Sequence, residues 1–135
     1  MLGYGIRTVI DLRENRPNKP WAVLERRFCA ENGIRYIKLP IGPERLTDQE
    51  LKTIVETISD PQCQPVLVHC ELGKSRTGIA VAAYRVVAQG WNYEMALAES
   101  QEFKKKMEPD YAMYLKELAK GERWRPDIAS NVGFD

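Results

Sequence analysis

Residues 69–78 read HCELGKSRTG and bring a nucleophile, a guanidinium, hydroxyls and two glycines into ten positions. Five residues separate Cys70 from Arg76. That length lets the backbone amides of Glu71, Leu72, Gly73, Lys74 and Ser75 turn inward as an anion nest. A helix starting directly afterwards adds its positive end and its free amides. Arg76 offers a planar fork for two phosphate oxygens, a geometry a lysine cannot match. Gly73 permits a turn or close approach that a side chain would block. The same field acts on Cys70, because a helix N-terminus and a guanidinium favour thiolate over thiol without any histidine base. Thr77 places a hydroxyl beside that sulfur. Such a loop is suited to hold a dianionic phosphate, attack its phosphorus and form a cysteinyl-phosphate that water then hydrolyses.

A buried structural thiol is the plainer reading of a lone cysteine, but it leaves His69, Gly73, Arg76 and Thr77 at fixed spacing unaccounted for. His69, the one histidine, reads as a hydrogen-bonding residue that shapes the loop. The Gly-Lys-Ser at residues 73–75 is not a nucleotide-binding loop, since Val68 stands where that motif requires its first glycine.

The surrounding elements must set this loop in place. Ile6–Leu12 is β-branched and reads as a buried strand. Trp21, Leu24 and Phe28 recur at helical spacing, and Gly33 suits the end of that helix. Ile34–Leu39 alternates as a second strand. Thr47-Asp48-Gln49-Glu50 has the form of a capping box, followed by Leu51, Ile54, Val55 and Ile58 on one helical face. Pro65–His69 is a third, apolar strand. Residues 79–88 form a buried helix, Gly90 ends it, and two helices are expected over about residues 93–107 and 109–120. Alternation of strand and helix predicts an α/β fold with a central, mostly parallel sheet flanked by helices. Sites in such sheets lie at the carboxyl ends of strands, where Cys70 falls.

The 135 residues fit one domain, expected over 1–122, with 123–135 an irregular tail. Twenty basic and nineteen acidic residues give a net charge of +1, which does not support nucleic-acid binding by charge alone. Three dispersed cysteines, Cys29, Cys63 and Cys70, argue against a disulfide framework and for a reducing, cytoplasmic setting. Neither zinc spacing nor a membrane-length apolar run is present. The expectation is a monomer that needs no metal or cofactor and has no membrane partner.

The pattern H-C-x5-R-[ST] after an apolar strand resembles the cysteine-dependent protein tyrosine and dual-specificity phosphatase superfamily. The GK-x-R-TG form, together with VIDLR, NG-I-x-Y-x-x-L-P-I and PVLVHC, resembles its small atypical dual-specificity members over residues 6 to about 107. The resemblance implies Cys70 as nucleophile, Arg76 as phosphate clamp and Glu71–Ser75 as amide donors. It also implies a carboxylic general acid on a loop well before the cysteine. The segment KLPIGPERLTDQE has no aspartate at the usual place, so Glu44 is the candidate by position and Asp48 the alternative. Asp48 also reads as a first-turn helix residue. The family's fold normally has a strand before the one at Ile6, so the domain here can lack an N-terminal strand. The implied substrates are phosphorylated proteins, with inositol phosphates or pyrophosphates as the alternative and an inactive phosphate-binding module as a second one. Sulfur-transfer domains also use a loop cysteine, but with a tighter loop than five residues allow.

Overall fold

The structure, a computed structural model, describes residues 5–13, 16–41, 46–70, 75–102 and 106–125. Its strands β1 (Thr8–Asp11), β2 (Arg35–Lys38) and β3 (Val66–His69) form one sheet in the order β2-β1-β3. All pairings are parallel, with Thr8 opposite Arg35 and Val66, and Asp11 opposite Lys38 and His69. The helices are α1 (Pro20–Glu31), α2 (Asp48–Ser59), α3 (Ser75–Gln89), α4 (Tyr93–Ser100) and α5 (Pro109–Ala119). The α/β expectation therefore holds. The first strand is shorter than its apolar run, because its partner β3 begins only after Pro65, which has no amide to give the ladder.

As the central strand, β1 is buried on both faces. Ile10 and Leu12 belong to the main core with Leu51, Ile54 and Val55 of α2, Ile79 of α3 and Leu115 and Leu118 of α5. Val9 belongs to a smaller core with Cys29 and Ile34. The predicted α2 face is the buried one, and the capping box forms in both directions between Thr47 and Glu50.

Two expectations need correction. The stripe Trp21, Leu24 and Phe28 does not supply the inner face of α1; Leu24 is 62% exposed and Phe28 41%. Ala22 and Cys29 are buried instead, so α1 approaches the sheet through small side chains while Leu24 and Phe28 face outward and Trp21 lies against Arg13 and Lys38. Helix α4 stops at Ser100 rather than running to Met107. There the Ser100 hydroxyl bonds the Leu97 carbonyl at 2.7 Å, a local alternative to continuing the helix. Gly33 (φ +68°) and Gly90 (φ +74°) take the left-handed conformation just past α1 and α3. No helix among the described residues is long and apolar enough to cross a membrane.

Candidate active site

The sheet delivers Cys70 directly after β3, and α3 opens five residues later at Ser75. Cys70 is 7% exposed and sits on the main core. Arg76 and Thr77 occupy the first turn of α3, and the Thr77 hydroxyl donates to the Cys70 sulfur at 3.2 Å. The strand end and the helix start are thus joined across the loop by the two side chains that the sequence sets side by side. Glu71, Leu72, Gly73 and Lys74 lie outside the described residues, as does Glu44.

Tyr111, in the first turn of α5, packs against the same core as Cys70. Burial raises the pKa of its phenol; Arg76 opposes the rise, while Glu108, Cys70 and Glu50 add to it. Tyr111 therefore shares an electrostatic neighbourhood with both Cys70 and Arg76. Helical periodicity in α5 marks it only as a core aromatic, so sequence reasoning passed over it.

Behind His69 stands a polar network centred on Asp11. Its carboxylate, 0% exposed, accepts from the Arg13 amide (2.9 Å), the Arg13 Nε (2.9 Å) and Nη2 (2.8 Å), the Tyr36 hydroxyl (2.6 Å) and Lys38 Nζ (3.1 Å). Burial works to raise its pKa, but these donors outweigh it and hold the carboxyl well below the usual range. The Asp11 hydrogen bond in turn raises Arg13. Arg13 also reaches Glu25 Oε1 at 2.7 Å and lies 4.0 Å over the Trp21 ring. Glu25 Oε2 stands 2.7 Å from His69 Nε2. Arg13 is thus committed to structure rather than to substrate, whereas His69 Nε2 is buried and, despite its nearness to Glu25, makes no hydrogen bond among the described residues. The signal that could have found this network is Asp11 itself, a carboxylate ending an otherwise apolar buried strand, which requires paired donors. Asp11, Glu25 and His69 lie near enough to one another to suggest metal ligands. Arg13 and Lys38 already supply the cations that the two carboxylates need.

Asp48 is drawn away from acid chemistry. It accepts from the Tyr114 hydroxyl and from Arg123 Nη1. The Tyr114 bond lowers its pKa, burial opposes this, and Arg123 adds to the lowering, so the net direction is down. Cys29 lies in the small core on the α1 side of the sheet and Cys70 in the main core, so the two are separated by the sheet. Burial, aided by Glu25, pushes the Cys29 thiol up. Cys63 is buried and meets Arg35 Nη1 at 3.5 Å.

A family model described as a DSP-PTPase phosphatase fused to NAD+ kinase matches residues 1–115. The chain belongs to the DSP-PTPase phosphatase family. Among family relatives it is 35% identical over 78 residues to dual specificity protein phosphatase TpbA of Pseudomonas aeruginosa, covering 57% of this chain and 36% of that protein. It is 30% identical over 90 residues to inositol diphosphatase DSP2 of Oryza sativa subsp. japonica, covering 63% of this chain and 44% of that protein. It thus spans less than half the length of either relative. The core catalytic domain of PP-IP phosphatase SIW14 from S. cerevisiae, solved with citrate, superimposes with a TM-score of 0.72 at 23% identity. That match covers 83% of this chain and 67% of the other, and it establishes the phosphatase fold.

Proposed function

We propose that this chain is a phosphomonoester hydrolase acting through a cysteinyl-phosphate intermediate, most directly on phosphotyrosine or mixed phosphoprotein substrates. The observation that carries the reading is the 3.2 Å bond from Thr77 to the Cys70 sulfur, with Arg76 in the same first turn of α3. Family membership over residues 1–115 supports it.

In the first step the Cys70 sulfur attacks phosphorus while the bond to the ester oxygen breaks, and a carboxylic acid protonates the departing oxygen. Arg76 and the amides of Glu71–Ser75 hold the equatorial oxygens. In the second step water attacks phosphorus and gives a proton to the carboxylate left by the first step, the S–P bond breaks, inorganic phosphate leaves and the sulfur keeps the electron pair. Thr77 is placed to donate to the sulfur as that charge returns. Glu44 is the proposed acid. The bonds that Asp48 makes to Tyr114 and Arg123 support a structural role for it instead.

A second reading is hydrolysis of inositol pyrophosphates, favoured by the relative named as an inositol diphosphatase. A pyrophosphate is a good leaving group and depends less on a general acid, which suits a site where Asp48 is engaged elsewhere. The free thiols Cys29, Cys63 and Cys70 support a reducing compartment.

The test is phosphate release in EDTA by wild type and Cys70→Ser, using an aryl phosphate, phosphopeptides and an inositol pyrophosphate. Release by wild type alone, blocked by vanadate, is expected. Turnover by Cys70→Ser would sink the covalent mechanism. Silence of wild type on every substrate would favour an inactive phosphate-binding module.

A further inference from the structure

Between the start of α1 and β2, the structure forms a cavity of about 160 Å³ lined by Arg16, Pro17, Ala22, Arg26, Tyr36 and Lys38. We infer that this cavity receives an acidic side chain of a phosphorylated peptide, near the residue whose phosphate reaches Cys70. The inference rests on the phosphatase reading and narrows it to a substrate class.

Position is the first support. Lys38 ends β2 opposite Asp11, and Asp11 is opposite His69, the residue before Cys70. The backbones of Lys38 and His69 are therefore two strand spacings apart, about 10 Å. An extended peptide advances about 3.3 Å per residue, so three residues cover the same distance. A peptide lying across the carboxyl edge of the sheet with its phosphoresidue over Cys70 brings a residue about three positions away to the cavity.

Charge is the second. Among the described residues no carboxylate lines the cavity, while two arginines and a lysine do. The cations are held in place: Arg26 Nη2 donates to the Pro17 carbonyl at 3.0 Å, and Lys38 Nζ bonds Asp11 and lies 5.3 Å from the Trp21 ring centre. Helix α1 starts beside them with Pro20 in its first turn, no side chain bonded at its cap and no acid in that turn. Its positive end therefore adds to the field around Ala22.

The wall decides the ligand class. Pro17, Ala22, the Tyr36 ring and the stems of the basic residues present carbon to the cavity. An inositol phosphate surrounds its ring with hydroxyls and phosphates and has no hydrocarbon stem to lay along such a wall. A glutamate or aspartate side chain offers a hydrocarbon stem for the wall and a carboxylate for the guanidinium rim.

The experiment measures kcat/KM on two phosphotyrosine peptides, one carrying glutamate three positions to either side of the phosphotyrosine and the other alanine there. Aryl phosphate and an inositol pyrophosphate are run beside them. Wild type should prefer the acidic peptide about tenfold, mainly through KM and less so in high salt. Arg26→Glu should bring the ratio of the two peptides to about one or below, and Arg26→Lys should restore most of it. The ratio is internal to each protein, so partial misfolding does not mimic the result. Equal rates on both peptides by a wild type active on aryl phosphate would overturn the cavity's role alone. A preference for inositol pyrophosphate that Arg26→Glu abolishes would overturn the peptide class. A wild type inactive on every substrate, aryl phosphate included, would overturn the phosphatase reading beneath it.

Discussion

At the scale of single residues, the least replaceable contact after Cys70 and Arg76 is the hydroxyl of Thr77 on the Cys70 sulfur. A hydrogen bond to a charged partner contributes about 1.5–3 kcal/mol, which converts to roughly 10- to 100-fold in rate. Thr77→Ala should therefore lower kcat by about that factor with little change in KM, while Thr77→Ser keeps most of the rate. Rapid-quench measurement should show the phosphoenzyme accumulating in Thr77→Ala, because sulfur is the leaving group in its breakdown. A variant that slows phosphoenzyme formation alone would remove Thr77 from that role. Cys70, Arg76 and Thr77 were legible because a short loop fixes their relations by spacing. Tyr111, Asp11 and Glu25 were not, since their nearness to the site arises from how separate elements pack. Asp48 was ambiguous in the sequence, and only its bonds to Tyr114 and Arg123 show where its carboxylate is engaged.

At the scale of elements, Asp11 binds β1 to β2 through Tyr36 and Lys38, and to the segment leading into α1 through Arg13. Removing one partner of a buried charged cluster costs about 3–5 kcal/mol. Asp11→Ala should lose about that much stability in urea titration near pH 7, and a loss below 1 kcal/mol would demote the network. The pH dependence follows from the lowered pKa. Folded Asp11 holds a proton less tightly than unfolded Asp11, so unfolding takes up a proton at acid pH and stability rises with pH. The contribution is complete above the unfolded value of about 3.9 and is lost as pH falls through that value toward the lower folded one. Wild type should therefore lose stability below about pH 4 more steeply than Asp11→Ala does. Strands and helices were readable from period and caps, as Thr47 and Glu50 illustrate. The inner face of α1 was not, because Leu24 and Phe28 face outward while Ala22 and Cys29 make the contact. Pattern reading weights size, whereas close approach to a sheet selects smallness.

At the scale of the whole molecule, the residues after α5 fold back and join distant parts of the chain. Arg123 bonds Asp48 of α2 and Glu117 of α5 and lies 4.1 Å from the Tyr114 ring centre. The Trp124 indole donates to the Tyr114 hydroxyl at 2.7 Å and packs against the main core. Trp124→Ala should cost about 2 kcal/mol, a drop in Tm of roughly 5–10 °C for a domain of this size. An unchanged Tm would show this segment to be a passive appendage. The sheet order carries a consequence of another kind. Its central strand β1 is made before either neighbour, and Thr8 must wait for Val66 to emerge before its second edge is covered. Parallel pairs of this kind close long loops before any contact rewards them. During synthesis the newborn chain therefore carries an apolar strand with one open edge until His69 has left the ribosome. The segment that completes the sheet ends one residue before Cys70, so that cysteine is seated only when the sheet is whole.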